Sequence, residues 1–114
     1  MQEERDALYL ALIGEAISDI RRRFSDMAFD LFLSDRDEQA LAAFRLSIIG
    51  ENANKLSAGL RASHPGIPWG DMVAFRNIVS HEYHRIDASL VWEALQALDD
   101  IETMVDAELT GHGD

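Results

Sequence analysis

Residues 74–87 read AFRNIVSHEYHRID, and their side chains can be sorted into two faces of a helix. At about 100° per residue, Met72, Phe75, Ile78 and Val79 form one apolar stripe suited to a core. The opposite arc carries Tyr83, Arg76, Ser80, His84, Asn77 and His81 in turn, and spans roughly 160°. A cation, two imidazoles, an amide and a phenol on one face make a candidate site. Arginine and histidine on an exposed helix face are also ordinary, so clustering alone only raises the odds of function.

Outward from this stretch, the main segments read as helices separated by breaks. Upstream, residues 61–70 (RASHPGIPWG) hold both prolines, Pro65 and Pro68, with Gly66 and Gly70, and break the chain. The motif helix is expected to open at Trp69 to Asp71 and to end near Tyr83 or His84. Downstream, Asp87 is the expected N-cap of one amphipathic helix over 89–109, with Val91, Ala94 or Leu95, Leu98, Ile101, Val105 and Leu109 on its apolar side. Residues 37–60 read as one long helix carried by Leu41, Phe44, Ile48 or Ile49, Ala53, Leu56 and Leu60. Gly50 interrupts it and suggests the close approach of another backbone. Glu51 beside it is either the partner of an arginine such as Arg76 or a solvated carboxylate. Ser34 or Asp35 caps this helix. The greasy run Phe29, Leu31, Phe32 and Leu33 before the cap must be covered by something.

Residues 3–24 form the first helix, with Leu8, Leu12, Ile13, Ile17, Ile20 and Phe24 at three- and four-residue steps. Arg21, Arg22 and Arg23 suit the negative end of its dipole; the alternative is a phosphate-facing patch. No alternating Val/Ile-rich run suggests a strand. The expected fold is all-α, an up-down bundle of four to five helices, as a single domain over 1–114 with 110–114 as a fraying tail.

The composition is globular, with 114 residues, 47% hydrophobic and 27% charged, enough for one modest core. No run approaches a membrane span, no secretory signal is apparent, and a cytoplasmic location is expected. Cysteine is absent, which excludes a disulfide framework and a thiolate metal site. The net charge of −11 opposes general nucleic-acid binding. RNA contact would have to be local, through Arg21–Arg23 or through Arg76, His81, His84 and Arg85. The acidic remainder suits solubility or a basic protein partner.

Two chemistries fit the arc. His81 and His84 have the spacing of metal ligands on a helix, but no carboxylate pattern of the His-Glu-x-x-His kind accompanies them, so neither a metal nor a cofactor is expected. The second chemistry is metal-independent phosphodiester cleavage. His81 would exchange the proton, Arg76 would hold the developing phosphate charge, and Asn77 would orient either group. Arg76 and His81 point about 140° apart on a straight helix. Either the arginine wraps round near the helix end, or two copies pack about a two-fold axis so that both arcs line one groove. A homodimer through the motif helix is expected.

The order Arg76-x4-His81-x-Tyr83 comes with other features. These are Gly50–Glu51, Pro65-x-x-Pro68-Trp69, Ile86–Asp87 and Val91–Trp92. Together they resemble the HEPN superfamily in its HepT branch, which contains the toxins of HepT/MntA (type VII) toxin–antitoxin systems. The resemblance runs from about Gly50 to Trp92; the N-terminal third matches only as amphipathic helix. It implies a dimeric endoribonuclease in which the ribose 2′-OH attacks, with Arg76, His81 and Asn77 as catalytic residues. It also implies that Tyr83 accepts AMP from an MntA-like nucleotidyltransferase antitoxin. Glu51, Ser80 and His84 are accessory candidates. The alternative is a non-catalytic HEPN helper that binds nucleotide, or presents Tyr83 to a nucleotidyltransferase, without cleaving RNA.

Overall fold

The computed structural model describes residues 2–82, 84 and 86–111. Among them are seven helices and no strand: α1 (Gln2–Phe24), α2 (Phe29–Ser34), α3 (Arg36–Lys55), α4 (Ala58–Ala62), α5 (Trp69–His81), α6 (Ala88–Gln96) and α7 (Asp99–Gly111). The all-α expectation holds, with more breaks than periodicity suggested. Helix α3 is central and packs against α1, α2, α5 and α6, while α7 lies on α1. No helix among the described residues is long and apolar enough to cross a membrane.

The core joins Leu10, Ile13, Ile17, Ile20 and Phe24 of α1 to Ala42, Leu46, Ile49 and Ala53 of α3. Val91, Leu95, Leu98, Ile101 and Val105 complete it. Leu8, Leu12, Phe44 and Leu109, all expected on core-facing sides, are exposed instead. Leu8 is 56% exposed and Phe44 59% exposed. In α1 the sector covered by α3 and α7 begins at Leu10, and a second set at the same spacing cannot be told from the first by periodicity alone. In α3 the close-packed face is marked by Ala42 and Ala43, small residues that admit neighbouring helices but are weak signals in a sequence.

Both expected caps form. Asp35 accepts from the backbone N–H of Asp37 at 3.0 Å and of Glu38 at 3.2 Å, and Asp87 accepts from Ser89 N–H at 2.8 Å. The long helix expected over 37–60 is cut at Leu56 and Ser57. Buried Asp6 of α1 accepts from Ser57 N–H at 2.9 Å and from Ser57 Oγ at 2.6 Å, while Ser57 Oγ caps α4 through Leu60 N–H. A buried carboxylate must find donors, and an extended Ser57 supplies two that a helical one would not.

The helix expected over 89–109 is also two, α6 and α7, divided at Ala97 and Leu98. The break lets α6 pack on α2 and α3 while α7 turns onto α1, with Leu98 buried at the corner. Arg21 holds the start of α7 to α1, donating to Asp99 at 2.7 Å and pairing with Glu102 at 3.2 Å. Helix α7 takes in Thr110 and Gly111, the first two residues of the segment read as a tail; residues 112–114 lie outside those described. The greasy run is covered in part by Trp92, whose ring centroid lies 5.3 Å from Phe29 and 5.2 Å from Phe32.

The arginine triplet is spent on ion pairs. Arg22 reaches Asp19 at 2.9 Å, and Arg23 forms a two-pronged pair with Glu38, its Nε donating to Oε2 at 2.9 Å and its Nη2 to Oε1. Each arginine of the triplet thus has a carboxylate partner within the chain. The guanidinium of Arg23 holds the Glu38 carboxyl below the usual carboxylate range, against the opposing effect of burial. A depressed carboxyl stabilises the fold above its unfolded value of about 4.3, and that contribution disappears as pH falls through the folded value. Glu38→Gln is therefore expected to lower the melting temperature at pH 7. The gap to wild type should close on going to pH 3, as followed by circular dichroism.

Candidate functional site

Helix α5 lies on α3 with none of its residues fully buried. Trp69 anchors its start, the indole N–H bonding to the carbonyls of Arg61 at 3.1 Å and His64 at 3.0 Å. Met72 and Phe75 pack on the core, while Ile78 remains 43% exposed. Thus only part of the expected apolar stripe meets the core of this chain.

The approach of α5 to α3 is tightest at Gly50. A Cβ placed there would overlap the backbone carbonyl oxygen of Met72 and come within 2.9 Å of Arg76 Cβ. Glycine at this position is therefore a packing requirement, as its place in mid-helix suggested. The next residue uses the proximity. Arg76 Nε donates to Glu51 Oε2 at 2.5 Å and Arg76 Nη1 to Asn77 Oδ1 at 2.9 Å. This settles the open choice for Glu51, which also has Lys55 Nζ at 3.9 Å. With two N–H groups so held, three of the five in the guanidinium remain for a ligand. The side chain is about two-thirds buried and oriented from two sides, which lowers the entropy lost on binding an anion.

His81 is the last residue of α5. It is exposed, and no hydrogen bond from the described residues reaches its ring. The helix stops there because Glu82 leaves helical geometry (φ −138°, ψ 40°), its N–H still bonded to Ile78 O at 2.7 Å. The expected continuation to Tyr83 or His84 is thus corrected. Tyr83, the expected AMP acceptor, and Arg85 lie outside the described residues. Ser80 and Asn77 are exposed on α5.

The candidates thus divide. Arg76, Asn77 and Glu51 form one connected cluster, and His81 stands at the helix end without an orienting partner. His84 belongs elsewhere: with Arg36, Gln39, Ile86, Ala88 and Val91 it lines a polar recess of about 160 Å³. Nothing in the spacing of the sequence links Arg36 to His84; the packing of α6 against α3 brings them together. A larger groove of about 420 Å³ runs between residues 63–67 and α7, and shares no residue with the motif. His64, beside that groove, is bonded through Nε2 to Glu108 Oε2 at 2.8 Å.

Comparison with known proteins adds an independent line. A family described as ribonuclease HepT-like matches residues 13–108. The "probable ribonuclease HepT" of Thermococcus cleftensis is 32% identical over 88 residues, covering 77% of this chain and 80% of that protein. A Methanocaldococcus jannaschii protein named "putative RNase" is 30% identical over 88 residues, covering 77% and 81%. Another of that description, from Caldanaerobacter subterraneus, is 26% identical over 98 residues, covering 85% and 88%. No solved structure gives a significant match.

Proposed function

Because the chain belongs to the HepT-like ribonuclease family, we propose that it is a metal-independent endoribonuclease and the toxin of a HepT/MntA-type module. The observation that carries this reading is the clamped Arg76. An arginine fixed by Glu51 and Asn77, with N–H groups to spare, is suited to the non-bridging oxygens of a phosphodiester. In the proposed reaction the ribose 2′-OH loses its proton as its oxygen bonds to phosphorus. The bond from phosphorus to the 5′-oxygen breaks, and that oxygen takes up a proton. His81 exchanges protons at this centre, and Arg76 neutralises charge on the phosphate. DNA, lacking the 2′-OH, is not a substrate.

A second copy completes the site. Arg76 is turned toward α3, and His81 points about 140° away from it around α5, so the two are best combined across a two-fold axis. The exposed Ile78 and the absence of any buried residue on α5 support a partner on this helix. Tyr83 follows His81 by two positions and is the proposed AMP acceptor: its phenolic oxygen bonds to the α-phosphorus of ATP and pyrophosphate leaves. The anionic nucleotide would occupy the groove and neutralise Arg76.

The test is cleavage of a labelled RNA and the matching DNA in EDTA, before and after incubation with an MntA-like nucleotidyltransferase and ATP, with intact mass recorded. The expected result is cleavage of RNA only, abolished as AMP increments appear, with Tyr83→Phe gaining none. A protein that gains AMP on Tyr83 yet never cleaves RNA is the non-catalytic helper instead.

A further inference from the structure

The basic side chains of this chain are mostly spoken for. Arg21, Arg22, Arg23, Arg45, Lys55 and Arg76 each pair with a carboxylate. Arg36 and His84 have no such partner among the described residues, and both line the recess of about 160 Å³ that Gln39, Ile86, Ala88 and Val91 complete. Of the acids that adjoin its lining residues in the chain, Asp37 is exposed and Glu38 is paired with Arg23, while Asp35 and Asp87 are committed to backbone N–H groups. Asp35 caps α3 and Asp87 caps α6. The Gln39 amide nitrogen closes the end of α2, donating to the carbonyls of Phe32 at 2.9 Å and Leu33 at 3.1 Å. A guanidinium and an imidazole therefore line one polar space in a chain of net charge −11.

The space is below the 300–1,000 Å³ usual for small-molecule sites, so it suits a phosphate group better than a whole nucleotide. It also lies close to the motif. His84 is three residues beyond His81, so their Cα atoms are at most about 11 Å apart. A phosphate in the recess and one at His81 are then within reach of neighbouring nucleotides on one strand.

We infer that Arg36 and His84 form a second phosphate subsite, which grips the backbone of the RNA strand beside the phosphate that is cleaved. The choice of RNA as the source of that phosphate rests on the ribonuclease reading; the anion site itself rests on the recess. The subsite accounts for how so acidic a chain holds a polyanion: affinity is concentrated in a few basic side chains along one path.

The test is binding of a labelled 2′-O-methyl RNA dodecamer, which cannot be cleaved through its 2′-oxygen, across a salt series. Wild type, Arg36→Ala, His84→Gln and the charge-matched control Arg5→Ala are compared, each checked for folding by circular dichroism. Arg36→Ala is expected to weaken binding about tenfold and to reduce the slope of log affinity against log salt by about 0.7, the value for one phosphate contact on a single strand. His84→Gln should weaken binding in the same direction, and Arg5→Ala should stay within about twofold of wild type. Equal losses in Arg36→Ala and Arg5→Ala overturn the proposal, as does a wild type that does not bind the strand. Dependence on Arg36 for 5′-AMP but not for the dodecamer overturns it in favour of a nucleotide. Failure of the ribonuclease reading shows separately, as wild type that binds the dodecamer through Arg36 but leaves unmodified RNA intact.

Discussion

His81→Ala is expected to slow RNA cleavage by 10²–10⁴-fold, the usual worth of a positioned general acid or base, while leaving the melting temperature within about 1 °C of wild type. The imidazole is exposed and supports no other described residue, so its loss removes chemistry without removing packing. Arg76→Ala should cost about 10²–10³-fold and slightly more stability, since it leaves the half-exposed Glu51 carboxylate without its closest partner. That structural cost should stay within about 1 kcal/mol because water can solvate the carboxylate. Arg76→Lys is not expected to rescue. A lysine ammonium cannot donate to Glu51 and Asn77 and still offer a planar pair of N–H groups to phosphate. Initial rates on a fluorogenic RNA would decide the matter. Unchanged cleavage by His81→Ala would remove this histidine from the mechanism.

Gly50→Ala should show the second large effect, and its sign is diagnostic. In an exposed helix interior, replacing glycine by alanine stabilises by about 1 kcal/mol. At Gly50 the added methyl would meet the Met72 carbonyl oxygen, which is backbone and cannot swing aside, together with Arg76 Cβ. Helices α3 and α5 would have to separate, at a cost of about 1–3 kcal/mol. The same separation would pull Arg76 from Glu51, so cleavage should fall along with stability. Gly59→Ala in α4 is the control, because a Cβ there meets nothing within 4 Å; it should be neutral or stabilising. Thermal melts of both variants test the pair, and a Gly50→Ala protein as stable as wild type would show that the helices are not locked at this point.

Much of the fold was legible because its causes are local. Helical periodicity without alternating runs identifies an all-α chain. Asp35 and Asp87 cap because each meets the N–H groups of residues that immediately follow it. Residue chemistry and a resemblance single out Arg76, Asn77 and His81 as candidates, and of these the fold joins Arg76 to Asn77. Gly50 was legible as a close approach, since a mid-helix glycine without a partner would be a plain cost.

Other features depend on groups far apart in the chain. The end of α3 is set by Asp6, a buried carboxylate on α1 whose need for donors draws Ser57 out of the helix. The break at Ala97 and Leu98 carries no proline or glycine; α6 and α7 diverge because they cover different neighbours. Periodicity records that a residue is apolar but not which neighbour will cover it, so Leu8 and Leu10 could not be ranked until α3 and α7 were in place. For the same reason only the folded chain decides that Glu51 grips Arg76, and that His84 leaves the motif to share a recess with Arg36. Local propensity acts between residues a turn apart, whereas burial, charge pairing and helix spacing are settled by whatever the rest of the chain brings alongside.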